Sequence, residues 1–347
     1  MVSIFGYYDH SNAGDEAFKL VFERVFRGRP IKFFKPQKDS LGELDHVVMG
    51  GGALVNDYFM SHVQKVRNLH VVGCSLPYGP EDIKFLAGVA GQLRTLILRS
   101  RADVAACRER GLPAEFAPDL VFSLPKPAPA PLPQAALQEW TVLPPMYFGR
   151  RERTAIVCLS DDYRVPYSEA TRAKFEELER FKNELAAVLD ALDEKFNLML
   201  LPFSVWYSSR DYVFAHDIVN RMKRRAAPMI IEKALPPDRI MALIAANDGP
   251  VISMKYHGLV FGLLNGKFVI NIGNTRKNRD LMADADLEGL SFPRDRFRKT
   301  AVLDAVGKYT QGRLLSKIAT LRDEWHTAAN ERLAAFAATL PDSAEAA

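Results

Sequence analysis

The sequence predicts an α/β protein of two Rossmann-like, doubly wound domains facing a cleft, with helices at the C-terminus. Three observations carry this expectation. Short apolar runs alternate with stretches of helical spacing from the first residue, a proline-rich stretch interrupts them, and a second alternation follows it. Strands and helices in succession imply βαβ units and a mostly parallel sheet.

In the first half the apolar runs Val2–Phe5, Ile31–Phe34, His46–Met49, Leu69–Val72 and Thr95–Leu98 read as strands. Ala17, Leu20, Val21, Arg24 and Val25 carry helical spacing between the first two. Around Pro125–Pro145 the composition changes. Lys126-Pro127-Ala128-Pro129-Ala130-Pro131-Leu132-Pro133 lacks the N–H groups that a helix or inner strand requires, so an extended linker is expected there. Beyond it, Thr154–Ser160 reads as a strand, and Phe175, Leu178, Phe181, Leu185, Val188, Leu189 and Leu192 line one face of a helix within 168–196. Asn197–Pro202, Met229–Glu232, Val251–Ser253 and Phe268–Ile272 read as further strands, with helices at Tyr212–Arg225 and Pro237–Ala246. Gly312–Leu340 reads as mainly helical. The division expected is a first domain over 1–124, a linker over 125–150, a second domain over 151–305, and a helical segment over 306–347 that packs back on the first domain.

Composition removes several classes of function. A hydrophobic content of 48% with 25% charged residues is that of a globular chain. A net charge of +4, with no recognition motif beside the Lys223-Arg224-Arg225 cluster, argues against nucleic acid as a partner. Cys74, Cys107 and Cys158 are distant and odd in number, which supports neither a disulfide framework nor a zinc site. The start lacks a basic n-region and a long apolar stretch, and no segment is apolar enough to span a bilayer. A cytoplasmic protein is expected, with peripheral contact at the inner membrane face if its substrate is lipid-carried.

Four segments follow strands and are the candidate site. Gly6-Tyr7-Tyr8-Asp9-His10-Ser11-Asn12-Ala13-Gly14-Asp15-Glu16-Ala17 leads into a helix whose free amides suit a ligand, though Asn12 and Asp15 equally suit a turn and cap. Gly50-Gly51-Gly52, followed by Asp57, is entropically costly unless something approaches the backbone. An anion or a sugar fits, and so does a tight turn without ligand. It is neither a G-x-G-x-x-G fingerprint nor a Walker loop, so a nicotinamide cofactor is disfavoured. Met254-Lys255-Tyr256-His257-Gly258 places a cation and an imidazole where a helix begins, suited to an anionic ligand and a proton transfer. Gly273-Asn274-Thr275-Arg276-Lys277-Asn278-Arg279 is a basic loop that should stand beside it, and Arg99 closes the strand Thr95–Leu98. No His, Asp or Glu spacing indicates a metal.

In this order the segments resemble the polysaccharide pyruvyl transferase family. The resemblance rests on Gly6-Tyr7-Tyr8 through Asn12-Ala13-Gly14-Asp15-Glu16-Ala17, on Gly50-Gly51-Gly52-Ala53-Leu54 with Asp57, and on Leu98-Arg99 and Ala117-Pro118-Asp119 with Phe122. Pro202-Phe203, Met254-Lys255-Tyr256-His257-Gly258-Leu259 and Lys277 complete it, over about residues 1–285. It implies a GT-B-like fold and transfer of pyruvate from phosphoenolpyruvate to a sugar as a ketal, with no cofactor or metal. The acceptor would be a sugar or a lipid-linked or polymeric glycan of the cell surface. It also implies that Arg99, His257 and Lys277 fall on functional basic and acid/base positions. Lys255 stands where the family commonly has Arg, and Ser100 where it has Asp.

The expected site is therefore His257 for proton transfer, with Arg99, Lys255, Lys277, Asn12, Gly14, Asp15, Gly51, Gly52 and Asp57 binding substrate. Two other functions suit the same features: a GT-B glycosyltransferase using a nucleotide sugar, and a non-catalytic glycan-binding member of the family. The sequence is silent on oligomeric state.

Overall fold

A computed structural model describes residues 1–36, 41–42, 44–128, 151–160, 171–206, 209–223, 228–309 and 312–341. The described chain divides into two compact units. One comprises Met1–His10, Gly14–Pro125 and the chain from Asp323 onward; the other comprises Ser11–Ala13 and Lys126–Arg322. Most of the expected linker, residues 129–150, lies outside the described residues.

The first unit runs β1 (Val2–Phe5), α1 (Ala13–Val25), β2 (Ile31–Phe34), β3 (His46–Gly52), α2 (Asp57–His62), β4 (Asn68–Cys74), α3 (Ile83–Gly88), β5 (Leu93–Leu98), α4 (Arg101–Arg108) and β6 (Glu115–Phe116). Its six strands are all parallel, in the order β2-β1-β3-β4-β5-β6. The order reverses between β1 and β3. Ligands of such sheets bind at the carboxyl ends of the strands that flank this reversal.

The glycine run is where the structure departs most from the expected turn. The strand ends not at Met49 but at Gly52, so the glycines are sheet. A Cβ on Gly50 would lie 2.3 Å from the Phe22 ring, and one on Gly51 would lie 2.2 Å from Phe18. Both phenylalanines are fully buried on α1, and each such burial contributes roughly 1.5–3 kcal/mol. Close packing of α1 on the sheet accounts for these two glycines without a ligand. Gly51 and Gly52 also have φ of 73° and 96°, a region that disfavours residues with a Cβ.

The second unit runs β7 (Thr154–Cys158), α5 (Arg172–Leu192), β8 (Asn197–Leu200), a two-strand ribbon of β9 (Val205–Trp206) and β10 (Ser209–Arg210), α6 (Asp211–Asn220), β11 (Met229–Ile230), α7 (Pro237–Ala246), β12 (Val251–Ser253), α8 (Tyr256–Leu264), β13 (Val269–Ile272), α9 (Arg276–Asp284), β14 (Ser291–Phe292) and α10 (Lys299–Val306). Its parallel sheet has the order β11-β8-β7-β12-β13-β14, the dinucleotide-fold order, which reverses between β7 and β12. Thr171 caps α5 by accepting from the Lys174 N–H, and Leu178, Phe181, Leu185, Val188, Leu189 and Leu192 are buried as the spacing requires. Phe175 is the exception, 49% exposed, because the first turn of α5 overhangs the core. The helix expected to reach Arg225 stops at Asn220, where the chain turns and the Lys223 N–H bonds the Asp190 carboxylate at 2.9 Å. Residues 224–227 lie outside the described residues.

The last helix, α11 (Gly312–Thr339), belongs to the first unit from Asp323 on. There Trp325 packs edge-on against Phe122 at 4.9 Å, His326 Nδ1 lies 2.7 Å from the Phe122 carbonyl, and Phe336 meets Phe26 and His70. No described helix is long and apolar enough to cross a membrane. All three cysteines are buried thiols, and burial pushes Cys74 up to about 12 and Cys107 to about 11.

Two outcomes follow from this packing. Gly51→Ala forces Phe18 aside and strains the backbone, so denaturant unfolding should show a loss of about 2–4 kcal/mol. Gly88→Ala, whose Cβ meets nothing, should stay within about 1 kcal/mol of the parent. His70, whose Nε2 lies 3.2 Å from His46 Nδ1, is held down to about 4 by burial and then by the neighbouring His46 and Arg94 charges. The unfolded chain therefore takes up a proton near pH 6.5 that the native state refuses until about 4. Stability should fall with pH across that window by up to about 1.4 kcal/mol per pH unit, and the slope should flatten in His70→Gln.

Candidate functional site

Each unit gathers part of the expected residue set at the carboxyl ends of its strands, and the parts differ in electrostatics. The loop after β1, which leaves the first unit at His10, is built around charge. Asp9 and Ser11 adopt φ of 59° and 50°, uncommon for residues with side chains. The loop is held because Asp9 pairs with Lys19 and Lys35 while Glu16 accepts from the Asp9 N–H and pairs with Lys19 at 3.0 Å. Hydrogen bonds from Lys19 and Lys35 keep the Asp9 carboxyl below its usual value. Tyr8 is buried with its hydroxyl donating to the Gly50 carbonyl at 2.7 Å, which ties the loop to β3.

Gly14 and Asp15 open α1, where Asp15 and Glu16 complement the positive end of the helix. A Cβ on Gly52 would touch the Asp15 carboxylate at 3.4 Å, so the glycine run and the first helix do meet at these two residues. Asp57 is the first residue of α2, behind the Asn56 cap, and is exposed.

Arg99 is 5% exposed at the end of β5. Its Nη1 donates to Asp119 Oδ2 at 2.8 Å and its Nη2 to Ser75 Oγ at 3.2 Å. This buried pair, 3% and 0% exposed, joins β5 to the segment after β6. Much of the guanidinium's donor capacity thus goes to the protein, and Asp119 offsets its charge. Ser100 N-caps α4 by accepting from the Asp103 N–H at 3.3 Å. Serine and aspartate serve equally well at an N-cap, which explains the Ser100 departure physically.

In the second unit three loops come together. Lys255 and His257 follow β12, at the sheet's reversal point, and Lys277 follows β13, which pairs in parallel with β12. Asn278, fully buried, locks the two loops: its Nδ2 donates to the Met254 carbonyl at 3.0 Å and to Asn271 Oδ1 at 2.9 Å. Asn12 reaches the same unit through an isolated bridge to Ser204, and the Ala13 N–H bonds Phe203 O at 2.8 Å.

Asp211 organises this cluster and was not singled out from sequence. It is 1% exposed; Oδ2 accepts from the Phe203 and Ser204 N–H groups at 3.0 and 2.8 Å, and Oδ1 pairs with Lys255 Nζ at 3.0 Å. The ammonium of Lys255 is thus oriented by one oxygen of a carboxylate whose other oxygen is taken by two amides.

α8 lies close on the sheet because Gly258 and Gly262 lack side chains. A Cβ on Gly258 would fall 2.2 Å from Ser253 Oγ, and one on Gly262 would fall 2.6 Å from Val269. Ser253 Oγ also accepts from the Lys255 N–H at 3.0 Å and donates to its carbonyl at 2.7 Å. These contacts fix His257, 9% exposed in the first turn of α8, with its ring 5.2 Å from Tyr256 and 6.1 Å from Phe261. The helix start supplies amides and a positive dipole end beside it. Chemically, the cluster offers anion-binding donors from two helix starts, two ammonium groups and an imidazole. Among the described residues no group of His, Cys, Asp and Glu is arranged to hold a metal ion.

The chain matches the family model described as polysaccharide pyruvyl transferase over residues 4–276, ending one residue before Lys277. No curated protein matches it. Solved structures share its fold at low identity. A candidate UDP-N-acetylglucosamine 2-epimerase from Listeria monocytogenes superposes with a TM-score of 0.56 at 10% identity, covering 96% of this chain and 95% of that one. The glycotransferase of kitacinnamycin gives 0.52 at 11%, covering 98% and 99%, and Arabidopsis thaliana UGT89C1 complexed with UDP gives 0.51 at 9%, covering 97% and 98%. These likenesses give the fold, GT-B-like with two Rossmann-like domains.

Asp211→Ala should cost about 3–5 kcal/mol in denaturant unfolding, because it strips a half-buried ammonium and two amides of their acceptor. The family match over 273 of 347 residues, from 4 to 276, places this chain in the polysaccharide pyruvyl transferase family.

Proposed function

We propose that this transferase moves pyruvate from phosphoenolpyruvate to two hydroxyls of a glycan as a ketal. The observation that supports the reading is that the loops bearing Lys255 and His257 and bearing Lys277 leave the paired strands β12 and β13 and are tied by the Asn278–Met254 hydrogen bond, in a chain of this family. Phosphoenolpyruvate brings a phosphate and a carboxylate. Those two anions call for several donors: Lys277, the Lys255 ammonium beside Asp211, and the amides that open α8 and α9.

In the proposed reaction His257 gives its proton to the vinyl carbon, and positive charge develops at the carbon bearing the phosphate oxygen. A sugar hydroxyl attacks that carbon and its proton passes to the imidazole. Inorganic phosphate then leaves with the bridging oxygen, and a second hydroxyl closes the ketal, its proton carried off by the departing phosphate or solvent. The imidazole suits both transfers because one ring can both donate and accept a proton. Asp15, against Gly52, and the exposed Asp57 are the proposed acceptor-side carboxylates of the first unit. Arg99 supports that unit's strand ends through Asp119, a smaller role than a direct donor contact.

Incubation with phosphoenolpyruvate and a panel of glycans should release phosphate and add pyruvate to an acceptor, detected by mass. His257→Ala should lower turnover by about 10²–10⁴-fold with an unchanged circular dichroism spectrum. Lys277→Ala should raise the KM for phosphoenolpyruvate with less effect on turnover. Near-normal turnover in His257→Ala would remove the imidazole from the chemistry.

A further inference from the structure

Five large hydrophobic side chains are exposed among the described residues, and two of them, Tyr58 and Tyr78, line one groove of the first unit. The groove measures about 650 Å³, within the roughly 300–1,000 Å³ of small-molecule clefts. It lies beyond the carboxyl ends of β3 and β4, the edge at which such sheets take ligands. Asp57, Glu81, Lys84 and Phe85 complete the part of its lining that matters here.

The aromatic rings are held out by design of the backbone. Tyr78 is 74% exposed, yet its N–H bonds the buried carboxylate of Asp82 at 2.7 Å, and Gly79, at φ 89°, turns the chain behind it. The Arg110 guanidinium adds a bond to the Pro80 carbonyl at 3.0 Å. Tyr58 is 46% exposed on α2; the Asn56 cap anchors that helix, and the ring stands edge-on to Phe59 at 5.0 Å and to His62 at 5.5 Å. Leaving two large rings in water while fixing their backbones has no use in packing.

We infer that this groove is a glycan-binding subsite in which Tyr58 and Tyr78 stack on sugar rings. A pyranose has a C–H face that suits an aromatic surface and a rim of hydroxyls that suits carboxylates and ammonium groups. The groove presents both, with Tyr58, Tyr78 and Phe85 among Asp57, Glu81 and Lys84. Three carboxylates, Asp57, Glu81 and Asp82, to the one ammonium of Lys84 repel a phosphorylated donor, which separates this groove from the cationic cluster of the second unit. An apolar peptide or helix would call for a continuous greasy stripe, which these charges interrupt. The role as acceptor subsite rests on the pyruvyl-transfer reading; the binding of sugar does not.

The test is saturation-transfer NMR on the full chain with methyl β-galactoside, methyl β-mannoside, lactose and cellobiose. The parent should transfer saturation to the ring protons of at least one of the four. Tyr78→Ala and Tyr58→Ala should each lower that signal at least about fivefold, and Tyr78→Phe, which keeps the ring face, should restore it. Equal transfer in parent and alanine variants overturns the assignment, and so does no transfer to any of the four sugars. Phosphate release from phosphoenolpyruvate is scored in the same preparations. Sugar binding that depends on the tyrosines without phosphate release sinks the pyruvyl reading and leaves the groove standing, whereas phosphate release with sugar binding indifferent to the tyrosines does the reverse.

Discussion

A carboxylate buried at the end of a sheet has to be compensated, and in the second unit that requirement falls on Asp211. Its two oxygens collect the Phe203 and Ser204 amides and the Lys255 ammonium. Ser204 is also the residue to which Asn12 bridges, and Lys255 is the cap residue of the helix that carries His257. One buried charge therefore positions a loop from the start of the chain, a cation and an imidazole. The full stake of such a pair is several kcal/mol, since either charge alone in that setting is unfavourable. A lysine is adequate here for a reason the sequence did not disclose. Its partner is a single carboxylate oxygen, with no call for a bidentate fork.

Glycine solves the complementary problem of getting helices near enough. Gly258 and Gly262 let α8 lie on β12 and β13, and Gly50 and Gly51 let the phenylalanines of α1 lie on β3. In both units a helix that follows a strand flanking the sheet's reversal is packed tightly against the sheet at glycines. Its N-terminal amides are thereby held at the strand ends. Packing and site geometry are the same fact at these positions, which is why a glycine run there reads ambiguously as a phosphate loop or as a tight seam.

Much of the fold was legible because its signals are local. Val2–Phe5, Ile31–Phe34, Pro237–Ala246 and Val251–Ser253 have the expected boundaries, since each is a short apolar run or an amphipathic stretch flanked by turn residues. Phe175 was misassigned because periodicity sees a helical face and not where the core beneath it ends. The strand ending at Met49 was misplaced because three glycines resemble a loop until the rings of Phe18 and Phe22 are seen against them. That the loops after β12 and β13 stand side by side was legible from two consecutive strands of one sheet. The partners Asp211, Asn278 and Asp119 depend on contacts between residues far apart in sequence, and no spacing rule announces those. Asp211 is the first residue of α6, where any acid complementing the helix start would stand.

The proposed role of the cations and imidazole of the second unit is to bind a small, doubly anionic donor and not a nucleotide sugar. Thermal unfolding of the full chain with each ligand tests it most directly. A ligand at 100 times its Kd stabilises the protein by about 2.7 kcal/mol, which in a chain of this size raises the melting temperature by several degrees. That rise is expected with phosphoenolpyruvate and is lost in Lys277→Ala, and UDP-glucose gives none. Protection by UDP-glucose with none from phosphoenolpyruvate would contradict it.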